Sequence, residues 1–257
     1  MKHIKLFEQF INENEDENRR HREGWEKLTD KEVIAVIKRN GIISYKGMLS
    51  VGYEPSEAVK AGSLKIDPQI LQHIENPSEE LQLIAVSQDS FKKFNMTRHE
   101  RADFENAIRW IKNPSEKVQL AAVTVSGNAI QFIKNPSEKV QLAAVEQFNG
   151  ALRFIEKPSE KVQLAAVEKS HPVYGDLPIK YISNPSEKIQ LVSIGKFDAS
   201  IKFIQNPTEK AQLAAVEKDG SNLRYIKNPS PKVIAAALPS ITDSQFRAYP
   251  ELQLYKK

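Results

Sequence analysis

At regular intervals along this chain of 257 residues, a cation or a glutamine stands directly before an aromatic residue. Arg153-Phe154 and Lys202-Phe203 are two of these pairs. The candidate binding residues, here called the basic row, are Arg109, Gln131, Arg153, Lys180, Lys202 and Arg224. Positive side chains beside rings suit nucleic acids and acidic protein surfaces. The alternative interpretations are a solvated charged face for the cations and packing between repeated units for the rings.

A row of glutamines follows the same spacing. It consists of Gln82, Gln119, Gln141, Gln163, Gln190 and Gln212. These amides could recognise a ligand, or they could form a polar edge and bond the backbone of an adjacent turn. We favour the second interpretation, because the row lies between the two apolar faces of a predicted helix.

Residue types that carry catalysis or bind metals form no recognisable pattern. The chain has no cysteine, its ten glycines are scattered singly, and none of its five histidines belongs to an HExxH motif. The aligned glutamates, of which Glu138 is one, fit a helix-capping position. The sequence therefore predicts that the protein is not an enzyme and has no metal or cofactor. The alternative is an enzyme with an unrecognised site near the insertion at 87–106.

The candidate residues are positioned by an internal repeat. The sequence PSEKVQLAAV occurs three times, starting at Pro114, Pro136 and Pro158, and five looser copies bring the total to eight. Most copies start 22 residues apart. A unit this short cannot bury its own apolar face and must stack on its neighbours. We therefore predict an all-α, right-handed solenoid of about eight units, each a helix followed by a short α or 3₁₀ helix.

The unit around residues 135–157 shows how the local structure is expected to form. Asn135 is a good N-cap, and Glu138, three residues later, completes a capping box. Asn149 and Gly150 should end the helix. The next segment has room for one or two turns, with Leu152 facing inward.

The pattern Asn-Pro-x-x-x-Val-x-x-Ala-Ala, followed by a short Leu/Ile segment, resembles HEAT-like and leucine-rich-variant repeats. It is also similar to short uncharacterised repeats of bacterial and large-virus proteins. The resemblance covers about residues 54–249. It implies a right-handed superhelix in which an α-helix alternates with a 3₁₀ or short helix.

We divide the chain into four parts by departures from the repeat. They are an amphipathic peptide and charged linker (1–27), a divergent capping unit (28–54), the repeat solenoid (55–249) and a C-terminal tail (250–257). Insertions are expected at 87–106 and around residues 170–177. The net charge of +4 is too small to indicate nucleic acid by itself.

The opening MKHIKLFEQFINE is amphipathic, with Ile4, Phe7 and Ile11 on one helical face. It resembles the capsid-targeting peptides of T4-like bacteriophages. That resemblance implies cleavage at a site formed by Ile11, Asn12 and Glu13. The alternatives are a helix that caps the first unit and a tail that binds a partner.

These observations predict a non-enzymatic scaffold that binds another protein, from a phage or its host, through an extended surface. A nucleic-acid-binding solenoid that uses the basic row is the alternative. We expect no membrane association, because no apolar run approaches the length of a membrane span. We expect location in the host cytoplasm or the phage capsid interior, without secretion by a signal peptide.

Overall fold

The computed structural model describes residues 19–87, 107–170 and 177–255. Within these ranges every regular element is an α-helix or a 3₁₀ helix, the latter labelled η. Residue contacts divide the chain into two compact units, with the boundary between Val125 and Ser126. Both units are built from the same repeated pair of elements.

In the first unit, residues 19–26 are helical. The α-helices that follow are α1 (Asp30–Asn40), α2 (Ile42–Ser50), α3 (Glu57–Leu64), α4 (Glu79–Val86) and α5 (Glu116–Val125). The 3₁₀ helices are η1 (Pro68–His73) and η2 (Ala107–Trp110). Helix α3 packs on α1 and α4, α4 packs on α5, and η1 packs on η2. The helices and the 3₁₀ segments therefore form two layers.

The second unit continues the alternation. Its α-helices are α6 (Glu138–Gln147), α7 (Glu160–Glu168), α8 (Glu187–Lys196), α9 (Glu209–Lys218), α10 (Pro231–Ala237) and α11 (Asp243–Ala248). Its 3₁₀ helices are η3 (Gly127–Phe132), η4 (Asn149–Phe154), η5 (Pro178–Tyr181), η6 (Asp198–Phe203), η7 (Gly220–Tyr225), η8 (Leu238–Ser240) and η9 (Pro250–Tyr255).

Neighbouring elements pack in sequence order in this second unit. Helices α6 to α10 contact one another consecutively, and so do η3 to η7. This arrangement confirms the predicted all-α solenoid of helical repeats, with the second segment in the 3₁₀ form. The right-handed sense of the superhelix stays a prediction.

The helices begin later than the sequence predicted. Asn135 is not the N-cap: it has a φ of 51° and lies in the turn before the helix. Ser137 is the cap instead, and its hydroxyl oxygen accepts the N–H of Val140 at 3.4 Å. The helix then starts at Glu138, so this glutamate cannot form the predicted capping box. Asparagine tolerates the left-handed conformation, which leaves the serine free to cap.

The glutamate at each helix start instead joins neighbouring repeats. The hydroxyl of Ser159, the next cap, donates to the Glu138 carboxylate. In the same way Ser186 donates to Glu160 at 2.5 Å. The cap serine therefore accepts a bond from its own helix and donates one to the preceding repeat. This second bond gives the recurring glutamates a structural role between repeats.

The apolar side chains lie where the helix and 3₁₀ layers meet. Val140, Ala144 and Val145 of α6 are fully buried. Leu152 of η4 is 1 % exposed, which confirms its predicted inward direction. Since α6 contacts α7, η3 and η4, its apolar residues are covered on more than one side.

A single extended residue, not the predicted Asn-Gly pair, separates α6 from η4. Phe148 holds φ at −146° and ψ at 108°, and it turns the chain from one layer to the other. In a later repeat, a glycine is required because two elements approach each other closely. A Cβ at Gly220 would lie 2.3 Å from the carbonyl oxygen of Ala237, so η7 and α10 can approach only at a glycine.

The structure therefore predicts opposite effects for two Gly→Ala substitutions. Gly220→Ala should destabilise the protein by about 1–3 kcal/mol, because the new methyl group meets backbone that cannot rotate away. Gly195→Ala is the control, since nothing lies within 4 Å of a Cβ at that position in α8. It should cost nothing or stabilise by up to about 1 kcal/mol. Urea unfolding followed by circular dichroism measures both, and equal midpoints would contradict this packing.

The terminal segments depart from the repeat but are folded. Residues 28–54 contain α1 and α2, and Thr29 forms a capping box with Glu32 at the start of α1. Ser56 donates to Asp30 at 3.0 Å, which reproduces the link between repeats. At the other end, η9 lies within the segment assigned to a tail, and its Leu252 is fully buried.

Candidate functional site

The side chains of the glutamine row form hydrogen bonds with the backbone. In every repeat that has it, the side-chain amide donates to the carbonyl of the proline five residues earlier, at 2.8–2.9 Å, from Gln82, Gln119, Gln141, Gln163, Gln190 and Gln212. Gln190 also accepts the N–H of Thr208 in the next repeat at 2.9 Å. These bonds confirm the backbone-bonding interpretation of the row.

The basic row follows the layer of 3₁₀ helices. Arg109 lies in η2 of the first unit, while the second unit carries the rest of the row. Its members there are Gln131 in η3, Arg153 in η4, Lys180 in η5, Lys202 in η6 and Arg224 in η7. Because η3 to η7 contact one another consecutively, the second unit places these five residues on successive 3₁₀ helices of one layer.

The cations of the basic row lie over aromatic rings. The Arg153 guanidinium carbon is 4.7 Å from the centroid of Phe154. The ammonium groups of Lys180 and Lys202, from successive repeats, are each 4.8 Å from the centroid of Phe203. In the first unit, Arg109 lies 5.7 Å from the Trp110 centroid. Cation–π attraction of this kind is worth about 0.5–1 kcal/mol at an exposed site.

This arrangement produces an ordered positive surface, which we call the cationic face and define as Arg153, Lys180 and Lys202 with the rings of Phe154 and Phe203. All three cations are exposed, whereas both rings are half-buried. The rings therefore serve as platforms packed between repeats, and they restrict where the cations can move. Two lysines that approach one ring concentrate positive potential at Phe203.

Gln131 contributes no charge to this surface. Its amide donates to the carbonyl of Asn128 at 3.0 Å. Gln72 of η1 makes the same bond to the carbonyl of Gln69 at 3.0 Å. The glutamines in this slot therefore brace their own 3₁₀ helix.

Arg224 has a different role from the exposed cations. Its guanidinium carbon lies 4.5 Å from the centroid of Tyr225 and 3.6 Å from that of Tyr249, and its Nη2 donates to the Tyr225 hydroxyl at 2.7 Å. The side chain is half-buried. Because Tyr249 follows α11, Arg224 fastens the C-terminal helices to the last repeats.

At the start of α9, a lysine pairs with a glutamate of the preceding repeat. Lys210 donates to Glu187 of the preceding repeat at 2.8 Å. This hydrogen bond lowers the pKa of Glu187 and raises that of Lys210. These two charges offset each other, whereas the cationic face places its cations over rings.

Several predicted features fall outside the described residues. They are the candidate processing site Ile11, Asn12 and Glu13, nearly all of the insertion at 87–106, and residues 171–176 of the second insertion. The resemblance to capsid-targeting peptides therefore stays a prediction.

In residues 19–87, 107–170 and 177–255, no group of three or more His, Cys, Asp or Glu side chains is placed to hold a metal ion. No helix in those ranges has the length and apolarity needed to cross a membrane.

Comparison of the chain with protein-family models, with curated proteins and with solved structures gave no match.

The geometry of Arg224 predicts a structural effect of its removal. Arg224→Ala should destabilise the protein by about 1–2 kcal/mol, because two ring contacts and a hydrogen bond disappear together. It should also speed proteolysis after α10. Arg247→Ala is the control, since Arg247 is an exposed arginine of α11, and its effect should stay within about 0.5 kcal/mol. Equal stability of the two variants would show that Arg224 fastens nothing.

Proposed function

We propose that this chain is a non-enzymatic repeat scaffold that binds an acidic partner protein through the cationic face. One observation carries the proposal: Lys180 and Lys202, from successive repeats, are ordered over the Phe203 ring while they remain exposed. Pre-ordered side chains lose less conformational entropy when a partner binds. In the preceding 3₁₀ helix, η4, Arg153 also lies over a ring, that of Phe154.

The ring contacts favour an acidic protein over a nucleic acid. Nucleic-acid surfaces of this type stack bases on free aromatic faces. Here the rings of Phe154 and Phe203 are half-buried and have cations over them. Stacking a base would require the cations to leave, whereas a carboxylate can approach the cations directly.

The resemblance of residues 1–13 to capsid-targeting peptides supports a partner within a tailed phage or its host. This part of the proposal depends on the sequence alone.

Charge reversal should separate the cationic face from the rest of the surface. The double variant Arg153→Glu with Lys180→Glu should lose partner binding, because two ordered cations become repulsive to an acidic surface. The double variant Lys139→Glu with Lys188→Glu makes the same change in net charge at exposed positions near helix starts. It should retain binding.

Both variants would be used as full-length bait in quantitative pull-downs from producing cells, after circular dichroism has established that they are folded. Acidic proteins captured by the wild type should be depleted with the first variant alone. Equal capture by both variants, or equal loss, would overturn the cationic face as the binding surface.

A further inference from the structure

Between successive 3₁₀ helices the structure forms a groove of a recurring kind. One groove, of about 780 Å³, lies between η1 and η2 of the first unit. A second, of about 720 Å³, lies between η6 and η7 of the second unit. Each is lined by equivalent positions: the ring slot of both repeats, the turn before the proline, and the glutamine of the next helix. The two grooves therefore differ only in the side chains that each repeat supplies.

The groove between η6 and η7 combines rings, amides and cations. Phe203 and Tyr225 contribute its apolar surface. Lys202 and Lys227 are exposed at its rim, as are Asn206 and Asn228, which occupy equivalent turns of successive repeats. No residue that lines this groove is acidic.

The base of this groove is already hydrogen-bonded. Gln212 donates to the carbonyl of Pro207 at 2.9 Å. Asn228 has a φ of 52°, so it stands in a left-handed turn before Pro229. An exposed asparagine amide offers a donor and an acceptor side by side, which is the pattern that a peptide group presents.

The groove of the first unit lacks this positive charge. Gln72 takes the place of Lys202, and Glu75 takes the place of Gln205, while Lys112 matches Lys227. Two lysines without an acidic neighbour are thus replaced by one lysine and one glutamate. His73 adds little charge there, since burial, together with Lys46, lowers its pKa.

We propose that the groove between η6 and η7 binds an extended acidic peptide segment, with a carboxylate side chain between Lys202 and Lys227. The asparagine amides at its rim bond the peptide backbone. This inference rests on the proposed function, since it names the part of an acidic partner that the surface would recognise. The groove between η1 and η2 does not take a carboxylate, because Glu75 repels it.

The test uses the full chain and a fluorescent peptide of alternating glutamate and serine, followed by fluorescence anisotropy. The matched probes are a glutamine–serine peptide and single-stranded oligothymidine. We expect the acidic peptide to bind more tightly than either, with an affinity that falls as salt rises.

Two substitutions address the groove itself. Lys227→Glu should weaken peptide binding about tenfold, since one rim cation becomes an anion. Gln205→Glu places a glutamate at the position of Glu75 in the first unit and should also weaken binding, with little risk to folding at an exposed position. Lys232→Glu, an exposed control in α10, should change the affinity by less than about twofold.

The possible results distinguish the groove from the wider proposal. Unchanged peptide affinity in both Lys227→Glu and Gln205→Glu would overturn the proposal that the groove binds the peptide. If Arg153→Glu with Lys180→Glu still abolished partner capture, the proposed function would stand without it. Tighter binding of oligothymidine than of the acidic peptide would overturn both proposals.

Discussion

The hydrogen bond from a helix glutamine to the carbonyl of a proline five residues earlier is the interaction on which the repeat depends. It closes the turn that links each 3₁₀ helix to the next α-helix, as Gln212 does for Pro207 at 2.9 Å. Gln190 extends the bond to the N–H of Thr208 in the following repeat. Because the turn is fixed, the 3₁₀ helix before it is fixed as well. The positions of Lys202 and its equivalents follow from this constraint.

The α-helix starts and the 3₁₀ layer differ in how their charged side chains are placed. Where the α-helices start, serine caps, glutamates and lysines satisfy one another, as Ser186 does with Glu160 and Lys210 with Glu187. Along the 3₁₀ layer, the cations have rings beneath them, as Lys180 does over Phe203. A cation that lies over an aromatic face and is exposed can be approached directly by a carboxylate. We therefore propose the 3₁₀ layer as the binding surface.

Sequence periodicity was sufficient to predict the helical stack, because apolar positions at a fixed interval permit little else. The helix start was predicted wrongly since both Asn135 and Ser137 can cap, and only the left-handed turn at Asn135 decides between them. The role of Arg224 depends on Tyr249, a contact across the fold that no local pattern reveals. Lys227 was missed as a groove residue, although the recurring Ile-Lys-Asn-Pro turns contained the signal.

The central claim is that binding takes place along the 3₁₀ layer and not at the helix starts. Hydrogen–deuterium exchange of the full chain, with and without the acidic peptide or a captured partner, tests it most directly. Slower exchange in η6, η7 and the turns at Asn206 and Asn228 is the predicted result. Protection confined to the first turns of α6 and α7, with η6 and η7 unchanged, would contradict the account.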